Sequence, residues 1–117
     1  MTKVRFFVRG GLLCGFEAKG HSGYAEAGAD IVCAAVTTVV AMTETYLTDI
    51  CGYKTSVVQD DEQALISVEA NCETDAEKQN CHMILQAAKA TLEENAREYS
   101  SWLRVSVVKR DCGKKIL

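Results

Sequence analysis

A chain of 117 residues, 48% apolar and 25% charged, has the size and make-up of one globular domain spanning 1–117, able to bury a core without staples. Thirteen basic against sixteen acidic residues leave a net charge of −3, which argues against binding through phosphate neutralisation, so nucleic acid is not an expected partner. The longest apolar run is the six residues from Ile31 to Val36, and the N-terminus shows no charged-then-apolar leader; no membrane partner is expected and the chain reads as cytoplasmic.

Val4, Phe6 and Val8 alternate with Arg5, Phe7 and Arg9, the period of a strand. Gly10-Gly11 is a two-residue turn signal, and Leu12, Cys14, Phe16 and Ala18 alternate after it, predicting an antiparallel hairpin. From Gly20 to Ala29 the chain has three glycines and few core formers, which predicts a loop of unusual length. Asp30 is a good N-cap for a helix to about Asp49, with Val32, Val36, Val39, Thr43 and Leu47 on one stripe and Cys51-Gly52 as its stop. Lys54–Gln59 and Gln63–Ala70 read as two strands joined at Asp60-Asp61-Glu62. Thr74 and Glu77 form a capping box for a helix from Asp75 to about Tyr99, whose buried stripe is Cys81, Ile84, Leu85, Ala88 and Leu92. Trp102–Lys109 is a last strand, and the charged tail from Arg110 to Leu117 is expected to fray. The fold class is therefore α+β, in the order strand-strand-helix-strand-strand-helix-strand, with one sheet and two helices packed on it. The strand order does not follow from the pattern.

Six cysteines are present, without a C-x-x-C pair and without a secreted context, so most read as small buried apolar residues. Cys72, Cys81 and His82 do not have a zinc spacing, and no metal or other cofactor is called for. Cys33 differs. With Asp30 as N-cap it lies in the first helical turn, where free N–H groups and the helix dipole favour a thiolate. His21 stands at the other end of the glycine loop, and Cys with His is the minimum nucleophile and base pair. N–H groups at the helix start, that of Cys33 included, are the expected oxyanion hole. Gly20, Gly23 and Gly28 would let Ser22 to Ala29 open and close, with His21 meeting Cys33 only when substrate is bound.

The run Gly20-His21-Ser22-Gly23-Tyr24-Ala25, continued by Gly28 and by Asp30-Ile31-Val32-Cys33-Ala34-Ala35-Val36, resembles the signature of the bacterial ribosomal-processing cysteine proteases of the Firmicutes. The layout of the whole chain is similar to theirs as well. The resemblance implies that His21 and Cys33 are catalytic and that Gly20, Asp30 and Thr37 support them. Thr37 stands where that family often has serine. It further implies a homodimer and, as substrate, the precursor of large-subunit ribosomal protein number twenty-seven, which loses a short apolar N-terminal extension ending in aromatic residues. Tyr24 and Tyr46 are candidates to line a pocket for such residues. The function implied is a cysteine endopeptidase acting during ribosome assembly; the alternative is a non-catalytic ribosome-associated peptide-binding module. A thiol redox sensor is a third, weaker reading.

Overall fold

The computed structural model describes residues 1–26 and 28–110. Strands β1 (Thr2–Arg9) and β2 (Leu12–Lys19) pair antiparallel, with Gly10 and Gly11 at φ +61° and +81° closing the turn between them. The pairing shifts register between Phe7 and Val8, so that Phe6 faces Phe16 while Val8 faces Leu13. This β-bulge leaves Cys14 as the extra residue and corrects the simple alternation expected for β2. Leu13, not Leu12 or Cys14, enters the core beside Phe16 and Ala18. The Leu13 N–H donates to Nδ1 of His82 at 2.9 Å, which ties the bulge to the second helix.

Helix α1 (Ile31–Thr45) continues into a π-helical turn at Tyr46–Ile50, where a single α-helix was expected. Val32, Val36, Val40, Thr43 and Leu47 form its buried stripe. Together these 20 residues are long and apolar enough to cross a membrane by length and composition, with a mean hydropathy of 1.5 in the most apolar window. Counting unbroken apolar runs missed this because interspersed threonines break a run without making the segment polar. In the fold the stripe packs into the core instead.

Strands β3 (Thr55–Asp60) and β4 (Leu65–Ala70) form a second hairpin. The turn between them is longer than expected. Gln63 and Ala64 belong to it rather than to β4, and Ala64 adopts φ +48°. Helix α2 (Asp75–Glu98) starts at the expected cap, the Glu77 N–H donating to Thr74 Oγ1 at 3.1 Å. Strand β5 (Leu103–Lys109) pairs parallel with β1, completing a sheet of order β3-β4-β2-β1-β5.

Both helices cover one sheet face. Val4, Phe6, Phe16, Val68 and Leu103 from the sheet meet Val36, Leu47, Leu85 and Leu92 from the helices. Truncating one of these buried leucines to alanine costs about 2–5 kcal/mol. On the opposite face Phe7 is also buried, roofed by the Arg110 guanidinium 4.0 Å from its ring centroid. Arg110 donates its N–H to the Val8 carbonyl at 2.8 Å and lies 3.6 Å from Glu69, so the fraying expected from this residue onward does not begin here. Residues 111–117, the rest of that expected tail with Cys112, lie outside the described residues.

Candidate active site

The end of the sheet where β1 begins, β2 finishes and β4 begins carries the glycine loop and the start of α1. Gly20 leaves β2 at φ +92°, and a Cβ there would meet the Met1 carbonyl oxygen at 2.6 Å. Only glycine fits such a left-handed, crowded position. Its N–H donates to the Ala64 carbonyl at 2.9 Å, and its own carbonyl accepts from Thr2 Oγ1 at 2.8 Å. The residue before His21 is thus fixed from both sides.

Ser22, after His21, is 2% exposed. Its hydroxyl donates to Asp30 Oδ2 in a short bond and accepts the Tyr24 N–H at 3.2 Å. Asp30 Oδ1 in turn accepts the Cys33 N–H at 2.9 Å, the N-cap bond expected of it. The hydroxyl of Ser22 and the Cys33 amide together hold the Asp30 carboxyl below its ordinary range. One carboxylate therefore joins the neighbour of His21 to the backbone of Cys33. Sequence reasoning assigned Ser22 no role, although it stood inside the motif; a buried serine eight residues before an N-cap aspartate is only a signal once the loop is seen to fold back.

The same bonds correct two expectations. The helix N-terminus already holds an anion, the Asp30 carboxylate, and the Cys33 N–H is committed to it, so that amide is not a free oxyanion donor. The loop is also not one movable unit from Ser22 onward. Tyr24 packs edge-on against Tyr99 and Trp102, with centroid distances of 5.6 and 5.0 Å, so residues up to Tyr24 are pinned. Tyr24 lines neither cavity at Cys33, and Tyr46 donates to Asn80 on α2 at 3.0 Å, so neither tyrosine forms the aromatic pocket suggested for them.

His21 and Cys33 line the same two cavities, of about 340 and about 770 Å³. The exposed imidazole makes no hydrogen bond to the thiol or to any other described residue. Thr37, one turn after Cys33, faces both cavities, and its hydroxyl has no hydrogen-bond partner among the described residues. The five residues singled out from sequence, Gly20, His21, Asp30, Cys33 and Thr37, are therefore neighbours in space. Among the described residues no group of three His, Cys, Asp or Glu side chains is placed to hold a metal ion.

The family described as cysteine protease Prp matches residues 1–104. The chain belongs to this family of cysteine proteases. The fold of this Prp-family protease is shared by solved structures. An essential ribosomal processing protease Prp from S. aureus, with a covalently linked product peptide, superposes with a TM-score of 0.80 at 22% identity, over 92% of this chain and 100% of that one. The same S. aureus protease with a substrate peptide gives 0.76 at 21% identity over 92% and 100%. SMU.848 from Streptococcus mutans gives 0.79 at 22% identity over 94% and 96%. No curated protein matches the chain by sequence.

Proposed function

We propose that this protease removes the N-terminal extension of a large-subunit ribosomal protein during ribosome assembly, using Cys33 as nucleophile and His21 as its base and acid. The observation that carries the reading is that His21 and Cys33 open onto the same two cavities while both are positioned through Asp30 and its partner Ser22. The peptides bound to the S. aureus protease support a peptide substrate.

In this reading the Cys33 sulfur attacks the scissile carbonyl as His21 takes its proton. The tetrahedral intermediate collapses to a thioester, and the imidazolium returns the proton to the leaving amine. His21 then deprotonates a water, which attacks the thioester and releases the acid product and the free thiol. The negative oxygen needs donors other than the Cys33 N–H; the unpartnered hydroxyl of Thr37 is available in the same cavities. His21, unbonded in the free protein, would come to the thiol when peptide fills the cavities, since catalytic hydrogen bonds tighten with substrate.

The reading includes a cytoplasmic homodimer. Met42 on α1, Ile50 at the end of the π-helical turn, and Val57 and Val58 on the edge strand β3 are exposed apolar side chains that suit self-association. Incubation with the unprocessed ribosomal protein, followed by N-terminal sequencing, tests the substrate; a single new N-terminus after the apolar extension is expected. An intact precursor would overturn the substrate assignment.

A further inference from the structure

The smaller of the two cavities at Cys33 runs along α1. Cys33, Val36, Thr37, Val40, Ala41 and Glu44 line it, each three or four residues from another on the next turn, which keeps them on one helix face. Leu65 and Ile66 of β4, with Ala64 and Asp61 of the turn before it, form the opposite wall. The floor is apolar and the far end is acidic.

Glu44 is unlike the other partly buried carboxylates among the described residues. Glu17, Glu69 and Glu93 are each ion-paired. Asp30, Asp60 and Glu77 each accept backbone N–H groups. The Glu44 carboxylate is partly buried as well, yet it has no hydrogen-bond or ion-pair partner among the described residues. A charge taken partly out of water without a partner is unfavourable, and a cation entering the groove would relieve it. Asp61, across the groove, is a second acid whose Oδ1 accepts from Gln59 Nε2 at 3.3 Å.

We infer that Glu44 is a specificity-determining residue that pairs with a basic side chain of the substrate, several residues from the scissile bond. The inference rests on the protease reading and adds a charge requirement to it. Glu44 is eleven residues beyond Cys33, which is about 16 Å along the helix at 1.5 Å per residue. An extended peptide covers that span in about five residues. The groove thus takes an apolar segment over Val36, Val40 and Ile66, ending in a lysine or arginine about five positions from the cleaved bond.

The test walks a single lysine through positions two to eight on each side of the scissile bond of an otherwise neutral peptide carrying the apolar extension. Affinity is measured by fluorescence anisotropy on the Cys33→Ala protein, and kcat/KM on the active one. The expected result is a preference of about fivefold for lysine near position five on one side only, the size of one partly screened ion pair. That preference should disappear in Glu44→Gln, weaken at high salt, and be inverted toward glutamate in Glu44→Lys. Peptides that bind without any positional preference, or a preference unchanged in Glu44→Gln, would overturn it. Binding with the preference but without turnover in the active protein would uphold the groove assignment and overturn the protease reading of this substrate instead.

Discussion

The two ends of the sheet hold cysteines in opposite settings. At one end Cys33 opens onto two cavities beside an exposed histidine and a loop of glycines. At the other, Cys14, Cys72 and Cys81 line a cavity of about 650 Å³ with Lys54 and Lys78 at its walls. By thiol count and by polar variety the second end looks the richer. Its chemistry is the poorer. Burial pushes the Cys81 thiol from its ordinary 9.0 up to about 12 and raises that of Cys72. The nearest histidine, His82, spends Nδ1 on the Leu13 N–H and serves the bulge rather than a thiol. A cysteine becomes a nucleophile through access and a free base, and of Cys14, Cys33, Cys72 and Cys81 it is Cys33 that shares its cavities with an exposed histidine.

The largest expected effect tests that contrast by deletion. Cys33→Ala should lower kcat/KM for the precursor by about 10⁴-fold or more, with the thermal midpoint nearly unchanged, because alanine suits a helix turn. Cys81→Ala should do the reverse, keeping turnover while costing about 1 kcal/mol of stability, since it leaves a small void in the core. Substantial cleavage by a folded Cys33→Ala protein would move the nucleophile elsewhere and end the comparison.

Alkylation reads the same contrast without mutation. At pH 7 a thiol raised from 9.0 to about 12 has roughly 10³-fold less thiolate, and only the thiolate reacts. Brief iodoacetamide treatment and peptide mapping should therefore label Cys33 first and Cys81 last. Cys72 or Cys14 labelled ahead of Cys33 would mean that the thiol-lined cavity is the reactive one.

Much of this was legible in the sequence, and the exceptions have physical reasons. The alternation in Val4 to Val8 and the capping box at Thr74 are local codes, so the elements came out nearly at their observed bounds. The bulge at Cys14 did not, because an extra residue looks like ordinary alternation until its partner strand is known. The order β3-β4-β2-β1-β5 depends on contacts far apart in sequence that no local pattern encodes. His21, Cys33 and Asp30 could be named because their residue types carry chemistry. Ser22 and Glu44 could not, because what distinguishes them is burial and the presence or absence of a partner.

Titration separates the two ends in opposite directions. Cys81 has its folded pKa raised, so it contributes stability that is complete below pH 9 and is lost as pH rises from 9.0 toward about 12. Asp30 has its folded pKa lowered, so its contribution is present above the ordinary carboxylate range and is lost as pH falls through the lowered value. Thermal midpoints measured across pH should show both limbs. Cys81→Ala should flatten the alkaline one and Asp30→Asn the acid one. An acid limb unchanged in Asp30→Asn would show that the Ser22–Asp30–Cys33 bridge does not stabilise the native state.

The smallest expected effect concerns the loop itself. Tyr24 rests on Tyr99 and Trp102, and aromatic pairs of this kind are worth about 0.5–1.5 kcal/mol beyond their buried area. The clasp holds the chain three residues after His21, while Gly28, at φ +90°, faces open space where even a Cβ would touch nothing. Backbone motion on peptide binding is thus expected in the stretch after Tyr24, while His21 reaches the thiol by rotation of its exposed side chain. Tyr24→Ala should lower kcat/KM by about three- to tenfold, and Tyr24→Phe, which keeps the ring, should retain nearly all of it. Trp102 is the single tryptophan of the chain, so its emission reports the clasp directly. Emission should change in Tyr24→Ala and stay constant when peptide is added to the Cys33→Ala protein. A peptide-induced change would mean that the clasp opens during binding, and the boundary between the pinned and the movable half of the loop would then lie before Tyr24.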